Sequence, residues 1–176
     1  EFITEMDFYV YERVMNDLSM IRDMGKELPV VSVNASRHHL KDDDFAEKFC
    51  DLVDRYDIPH DRIEIELTET VFFDDLDKLI GVMKKLRSMG FGISVDDFGT
   101  GYSSLNLISI LPVDALKIDG NFFKSNQLNN KNKKVISTIF ELAKGLNLVT
   151  VSEGVETREQ IDFLRECCCD TVQGYY

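Results

Sequence analysis

The residues able to do chemistry in this sequence are carboxylates, and they recur at the ends of short apolar runs. Asn34 closes the run 29–34 and Glu66 falls at the end of the run 62–67, with Glu69 three residues further on. Asp96 and Asp97 follow the run 91–95, and Lys117 and Asp119 sit at the end of 115–118. Glu153 and Glu156 follow 147–151, and Gln173 lies in the run 171–175. Converging carboxylates repel one another and lose hydration unless a cation sits among them. Oxygen donors without His or Cys select a hard cation, Mg²⁺ or Mn²⁺. Adjacent Asp96 and Asp97 can serve two ions through one bridging carboxylate. Two divalent ions roughly 3.5–4 Å apart suit in-line attack on a phosphodiester. Lys117 would hold a phosphate oxygen or orient the attacking water. Taken singly, each of these residues is better explained as a cap, a turn or a salt-bridge partner. Their recurrence carries the functional reading.

The runs that position them alternate with stretches of helical period. Phe8, Tyr11, Val14, Met15, Leu18 and Ile21 make one stripe. Phe45, Phe49, Leu52, Val53 and Tyr56 make a second, with Asp44 as its expected N-cap. Leu76, Leu79, Ile80, Met83 and Leu86 mark a third, closed by Gly90 just past the helix end. A short helix is expected after the loop 98–104. Val135, Ile136, Ile139 and Phe140 begin a helix that stops near Gly145, and the polar stretch 125–134 reads as an exposed loop. Thr157 and Gln160 fit a capping box for the last helix. Six strands alternating with helices define an α/β chain with a parallel sheet. No GxGxxG or GxxxxGK[ST] follows the first strand, which leaves dinucleotide and P-loop folds unsupported. A (β/α)8 barrel has eight strands in typically about 250 residues. The chain is therefore expected to hold about six of the eight βα units of a TIM-like barrel, as one domain over residues 1–176. All the strand ends named above would then share the face on which barrel active sites are built.

The chain has 176 residues, 20 basic against 32 acidic, and a net charge of −12. An acidic surface repels phosphate backbones, which argues against general nucleic-acid binding. No apolar run is long enough for a membrane span, and no secretory leader is visible, so a cytoplasmic setting is expected. The cysteines, Cys50 and Cys167 to Cys169, form no CxxC and no recognisable Cys–His spacing. Reduced thiols, rather than structural zinc or disulfides, are the expectation.

Six blocks in order resemble the EAL domain, the bacterial cyclic di-GMP phosphodiesterase. They are Val33-Asn34-Ala35-Ser36, Glu66-Leu67-Thr68-Glu69, the ten residues from Asp96-Asp97-Phe98-Gly99 to Leu105, Leu116-Lys117-Ile118-Asp119, Glu153-Gly154-Val155-Glu156-Thr157 and Gln173-Gly174-Tyr175. The resemblance implies a modified (β/α)8 barrel and hydrolysis of cyclic di-GMP to linear pGpG with two Mg²⁺ or Mn²⁺ ions, Ca²⁺ being inhibitory. It implies that Asn34, Glu66 and Asp96 ligate one ion and that Asp96 bridges to a second held by Asp97. Lys117 and Glu153 would place or activate the water, and Gln173 would help complete the site on the substrate side. Glu69 would hold the loop from Phe98 to Leu105, and Glu156 is an outer-shell candidate. A homodimer within a larger signalling protein is also implied. The namesake Glu-Ala-Leu strand and the last few family residues do not match, so a chain truncated at the N-terminus, and slightly at the C-terminus, is expected. A non-catalytic receptor or interaction module of the same family is the alternative. A Schiff-base aldolase built on Lys117 is disfavoured, because surrounding anions oppose the lowered lysine pKa that chemistry requires.

Overall fold

The computed structural model describes residues 2–68, 75–99, 105–123 and 130–176. Its elements are α1 (Phe2–Asp23), β1 (Val31–Asn34), α2 (Phe45–Arg55), β2 (Ile63–Thr68), α3 (Leu76–Ser88) and β3 (Gly92–Phe98). There follow α4 (Leu105–Ile110), β4 (Ala115–Ile118), α5 (Asn130–Gly145), β5 (Val149–Ser152), α6 (Arg158–Glu166) and β6 (Thr171–Val172). Strand order follows chain order from β1 to β6. The pairs β1–β2, β3–β4, β4–β5 and β5–β6 are all parallel. This is the α/β pattern of a TIM-like barrel, with helices serving as the crossovers that parallel strands require.

The chain forms two compact units, Glu1–Ile93 and Ser94–Tyr176. In the first, Tyr11, Met15 and Leu18 are the buried stripe of α1. Phe49 of α2 meets Tyr11 edge-on at 5.2 Å between centroids and Phe91 at the same distance. The inward side chains Ile63, Ile65 and Leu67 of β2 and Met83 and Leu86 of α3 complete this core. In the second unit the core is built from Val95, Leu116, Ile118, Ile136, Phe140, Ala143, Val155 and Leu164. All four residues of β4 are buried, as expected of a strand covered on both faces.

Most helix ends follow the sequence signals. Gly90 adopts φ +100° after α3, and the N–H groups of Gly90 and Phe91 return to the carbonyls of Arg87 and Leu86. That is the left-handed closure for which glycine carries no Cβ penalty. The capping box at Thr157 and Gln160 is present in full. Three expectations need correction. Asp44 precedes α2, but its side chain caps nothing; instead Asp42 accepts its N–H at 3.1 Å. The helix α5 begins at Asn130, so residues 130–134 are helical rather than loop. They carry no apolar residue to reveal the turn, yet lysine is a good helix former. The last strand spans only Thr171–Val172, short of the run 171–175.

His39, for which the sequence suggests no role, is buried against the ring of Phe45, with centroids 4.7 Å apart. Its Nε2 lies 2.9 Å from an Asp7 carboxylate oxygen. Burial holds its pKa below the ordinary histidine value, with Asp7 opposing that shift. The folded state therefore binds fewer protons than the unfolded chain just below about pH 6.5. Stability should fall as pH drops from there through the lowered folded-state value. Melting curves of the wild type and His39→Gln should show a steeper loss on acidification in the wild type. Parallel slopes would contradict this account.

Candidate active site

In the first unit, Asn34 and Glu66 are register partners on the parallel strands β1 and β2. The N–H of Ala35 donates to the carbonyl of Glu66 at 2.9 Å, extending the ladder past Asn34. From α1, the Tyr11 hydroxyl donates to the carbonyl of Asn34 at 2.6 Å. Burial, reinforced by Asp7, pushes the Tyr11 pKa upward, so this hydroxyl remains a donor. The first helix thus pins the end of β1. Glu66 is buried, an expensive setting for a carboxylate unless it is paired or bonded.

In the second unit, Asp96 and Asp97 lie where the pairing of β3 with β4 slips between Val95 and Phe98. Consecutive side chains on a regular strand point to opposite faces, and a bulge re-aims one of them. Asp97 takes φ +55°, a left-handed conformation that aspartate tolerates better than most residues. Its N–H donates to the Asp96 side chain at 2.9 Å. Desolvation first, then the charges of Asp96, Asp119 and Glu153, raise the Asp97 pKa above the usual carboxylate range. Asp97 therefore sits in a field that a cation would relieve.

Lys117 on buried β4 provides one positive charge there. Its Nζ lies 2.7 Å from Glu153 Oε1 and 3.8 Å from Asp96 Oδ1. Parallel pairing places Lys117 beside Val151, two residues before Glu153. The N–H of Glu153 donates to the carbonyl of Ile118 at 3.0 Å, fixing its backbone. A Cβ on Gly120 would come within 2.7 Å of the Glu153 carbonyl oxygen, so only glycine permits this approach. Asp119, to which the sequence reading assigns no role, belongs to the same charge cluster. Its carboxylate accepts the N–H of Asn121 at 2.6 Å.

The remaining sequence candidates are placed less centrally. Gln173 is exposed, with its N–H donating to Ser152 and its carbonyl accepting from Val155. Glu156 is also exposed, and its N–H donates to the Gln160 side chain at the start of α6. Glu69 and residues 100–104 lie outside the described residues. Gly99, where that loop begins, packs against the ring of Phe122 and adopts φ +91°. Within each unit the candidate donors, Asn34 and Glu66 in the first and Asp96 and Asp97 in the second, offer oxygen, the donor type that suits a hard divalent cation.

Parallel strands alternating with helices define a TIM-like α/β domain, and comparison gives its family. The model of the EAL domain matches residues 1–176, and the chain belongs to that family. It is 35% identical over 173 residues to the cyclic di-GMP phosphodiesterase NbdA of Pseudomonas aeruginosa, covering 98% of this chain and 22% of that protein. A structure of the MucR phosphodiesterase of P. aeruginosa in complex with c-di-GMP superposes with a TM-score of 0.89 at 31% identity. That match covers 98% of this chain and 70% of the other. BlrP1 of Klebsiella pneumoniae, in a manganese and cyclic di-GMP complex, shares the fold at 24% identity and a TM-score of 0.83. It covers 96% of this chain and 43% of the other. The chain spans about a fifth of the length of NbdA and of two further curated relatives that it matches. No helix among the described residues is long and apolar enough to cross a membrane.

Proposed function

We propose that this chain is most of a cyclic di-GMP-specific phosphodiesterase domain that hydrolyses its substrate to linear pGpG. The observation that carries the reading is the Lys117–Glu153 pair beside Asp96 and Asp97, on the residues that the family motifs mark. Asn34, Glu66 and Asp96 would hold one Mg²⁺ or Mn²⁺ ion, with Asp96 and Asp97 holding a second. When bound, the ions supply charge neutralisation at the phosphate and lower the pKa of the attacking water. Complexes of BlrP1 with cyclic di-GMP and either calcium or manganese support a divalent ion beside this substrate.

The protein's own groups then divide the work. Lys117 orients the water oxygen, and Glu153, 2.7 Å from Nζ, takes its proton as the oxygen attacks phosphorus. One phosphoester bond of the ring breaks, the departing ribose oxygen takes a proton from solvent and leaves as a hydroxyl, and Glu153 returns its proton to solvent. Gln173 would contact the substrate from the end of β6, and Glu69 would hold the loop from Phe98 to Leu105. Glu156 would support Glu153 from outside the metal shell. The same reading puts the domain in the cytoplasm, as a homodimer attached to further signalling domains. A Glu-x-Leu-x-Arg strand ahead of residue 1 would add a ligand and a substrate-binding arginine.

An N-terminally extended chain carrying such a strand, incubated with cyclic di-GMP, tests this reading. Chromatography should show pGpG with Mn²⁺ or Mg²⁺ and its suppression when Ca²⁺ replaces them. An extended chain that binds cyclic di-GMP yet forms no pGpG would favour a receptor.

A further inference from the structure

The structure brings together a Cys, an Asp and a His outside the proposed active site. Cys50 and Asp54 stand one turn apart on α2, and His60 follows in the turn before β2. One ligand atom from each lies within 4.8 Å of the others, and the three residues lie in the first unit. The sequence, with no CxxC and no recognisable Cys–His ligand spacing, argues against zinc. The fold closes that gap by turning the chain at Tyr56 and Asp57, where Asp57 takes φ +52°, which brings His60 back to the end of α2.

The orientation of His60 is the second observation. Its Nδ1 lies 2.6 Å from the carbonyl oxygen of Met89, which can only accept, so Nδ1 carries the hydrogen. The ring is stacked on Phe91, with centroids 4.5 Å apart and planes 18° apart. Nε2 is thereby aimed at Asp54 Oδ1, 2.7 Å away. In a neutral imidazole held this way, Nε2 is a lone pair facing a carboxylate oxygen. Two acceptors at that distance share a proton, and a metal ion taking its place would draw on the same two lone pairs with Nε2 and Oδ1 moved apart. A backbone carbonyl on the opposite ring nitrogen is the usual way a metal-binding histidine is oriented. Cys50 Sγ lies 3.7 Å from the other Asp54 oxygen. Tetrahedral Zn²⁺ with bonds of about 2.0–2.3 Å sets its ligands roughly 3.3–3.7 Å apart, a spacing that lies between the 2.7 Å His60–Asp54 contact and the 4.8 Å that bounds the cluster.

We propose that Cys50, Asp54 and His60 form a binding site for a borderline-soft divalent ion of the Zn²⁺ class, with water as the fourth ligand. The site is chemically distinct from the all-oxygen set of the proposed active site. It joins the end of α2 to the turn that feeds β2, the strand carrying Glu66, and so stiffens the first unit when filled.

Cobalt(II) is the probe, because a thiolate ligand gives it a charge-transfer absorption that oxygen ligands do not. The background is the chain with Cys167, Cys168 and Cys169 replaced by serine, leaving Cys50 as the only thiol. Titration should give this absorption with one ion per chain, displaced by Zn²⁺. Cys50→Ser should abolish it, while Asp54→Asn and His60→Gln should each weaken cobalt binding by at least about tenfold. Circular dichroism confirms that each variant is folded. Asp54 is exposed, so Asp54→Asn remains informative even if His60→Gln unfolds. Absence of the absorption, one ion per two chains, or unchanged affinity in Asp54→Asn would each overturn the site and leave His60 and Asp54 as a hydrogen-bonded pair.

Discussion

Replacing Lys117 by methionine is expected to lower cyclic di-GMP turnover by about 10²–10³-fold in the N-terminally extended chain. A single preorganised charge at a developing transition state is typically worth that much. Lys117 is buried on β4 with its Nζ 2.7 Å from Glu153, so solvent screens it little and water replaces it poorly. Methionine keeps the length and apolar stem of lysine and removes only the ammonium. The loss should fall on kcat, with KM changed much less, because the charge acts on the water and the reacting phosphate. Stability should also drop, since Asp96 and Glu153 then face each other without their cation. Steady-state kinetics on variant that circular dichroism shows to be folded separates the two effects. Turnover within about threefold of the wild type would remove Lys117 from the chemistry.

Asp96→Asn should weaken Mn²⁺ binding by at least an order of magnitude, read by titration calorimetry. Asparagine matches aspartate in size but gives up the charge and the ability to bridge two ions. The substitution also relieves Asp97, whose carboxyl is raised in part by the Asp96 charge. Apo stability should therefore hold or rise while metal affinity falls. That opposite movement separates a ligand from a residue that merely supports the fold. Equal Mn²⁺ affinity in both proteins would count against the assignment.

The strand ends were legible because β-branched runs stop where polar residues begin. Asn34 ends β1 and Glu153 follows β5 by one residue, as the pattern suggests. The sharing of Lys117 between Glu153 and Asp96 was not legible. It depends on the register of β4 against β5 and on the bulge in β3, neither of which leaves a mark in spacing. The φ of Asp97 follows from the same bulge. Asp119 was visible as a strand-end carboxylate, but its place in the field around Asp97 needed the fold. The turns missed at the start of α5 were polar, and period-based reading detects only helices with an apolar face. His39 and His60 escaped for a related reason. Their partners Asp7 and Asp54 meet them through helix packing and chain reversal, not through a local motif.

The measurement that bears most directly on the account is pGpG formation from cyclic di-GMP with Mn²⁺, compared between the N-terminally extended chain and its Glu66→Ala variant, with the 176-residue chain alongside. Glu66 is a buried carboxylate in register with Asn34, and the account gives it a metal to hold. Robust turnover is expected from the extended chain, with near-complete loss in Glu66→Ala and little or none from the 176-residue chain alone. Turnover that survives Glu66→Ala, or an extended chain that binds metal and substrate without forming pGpG, would contradict it.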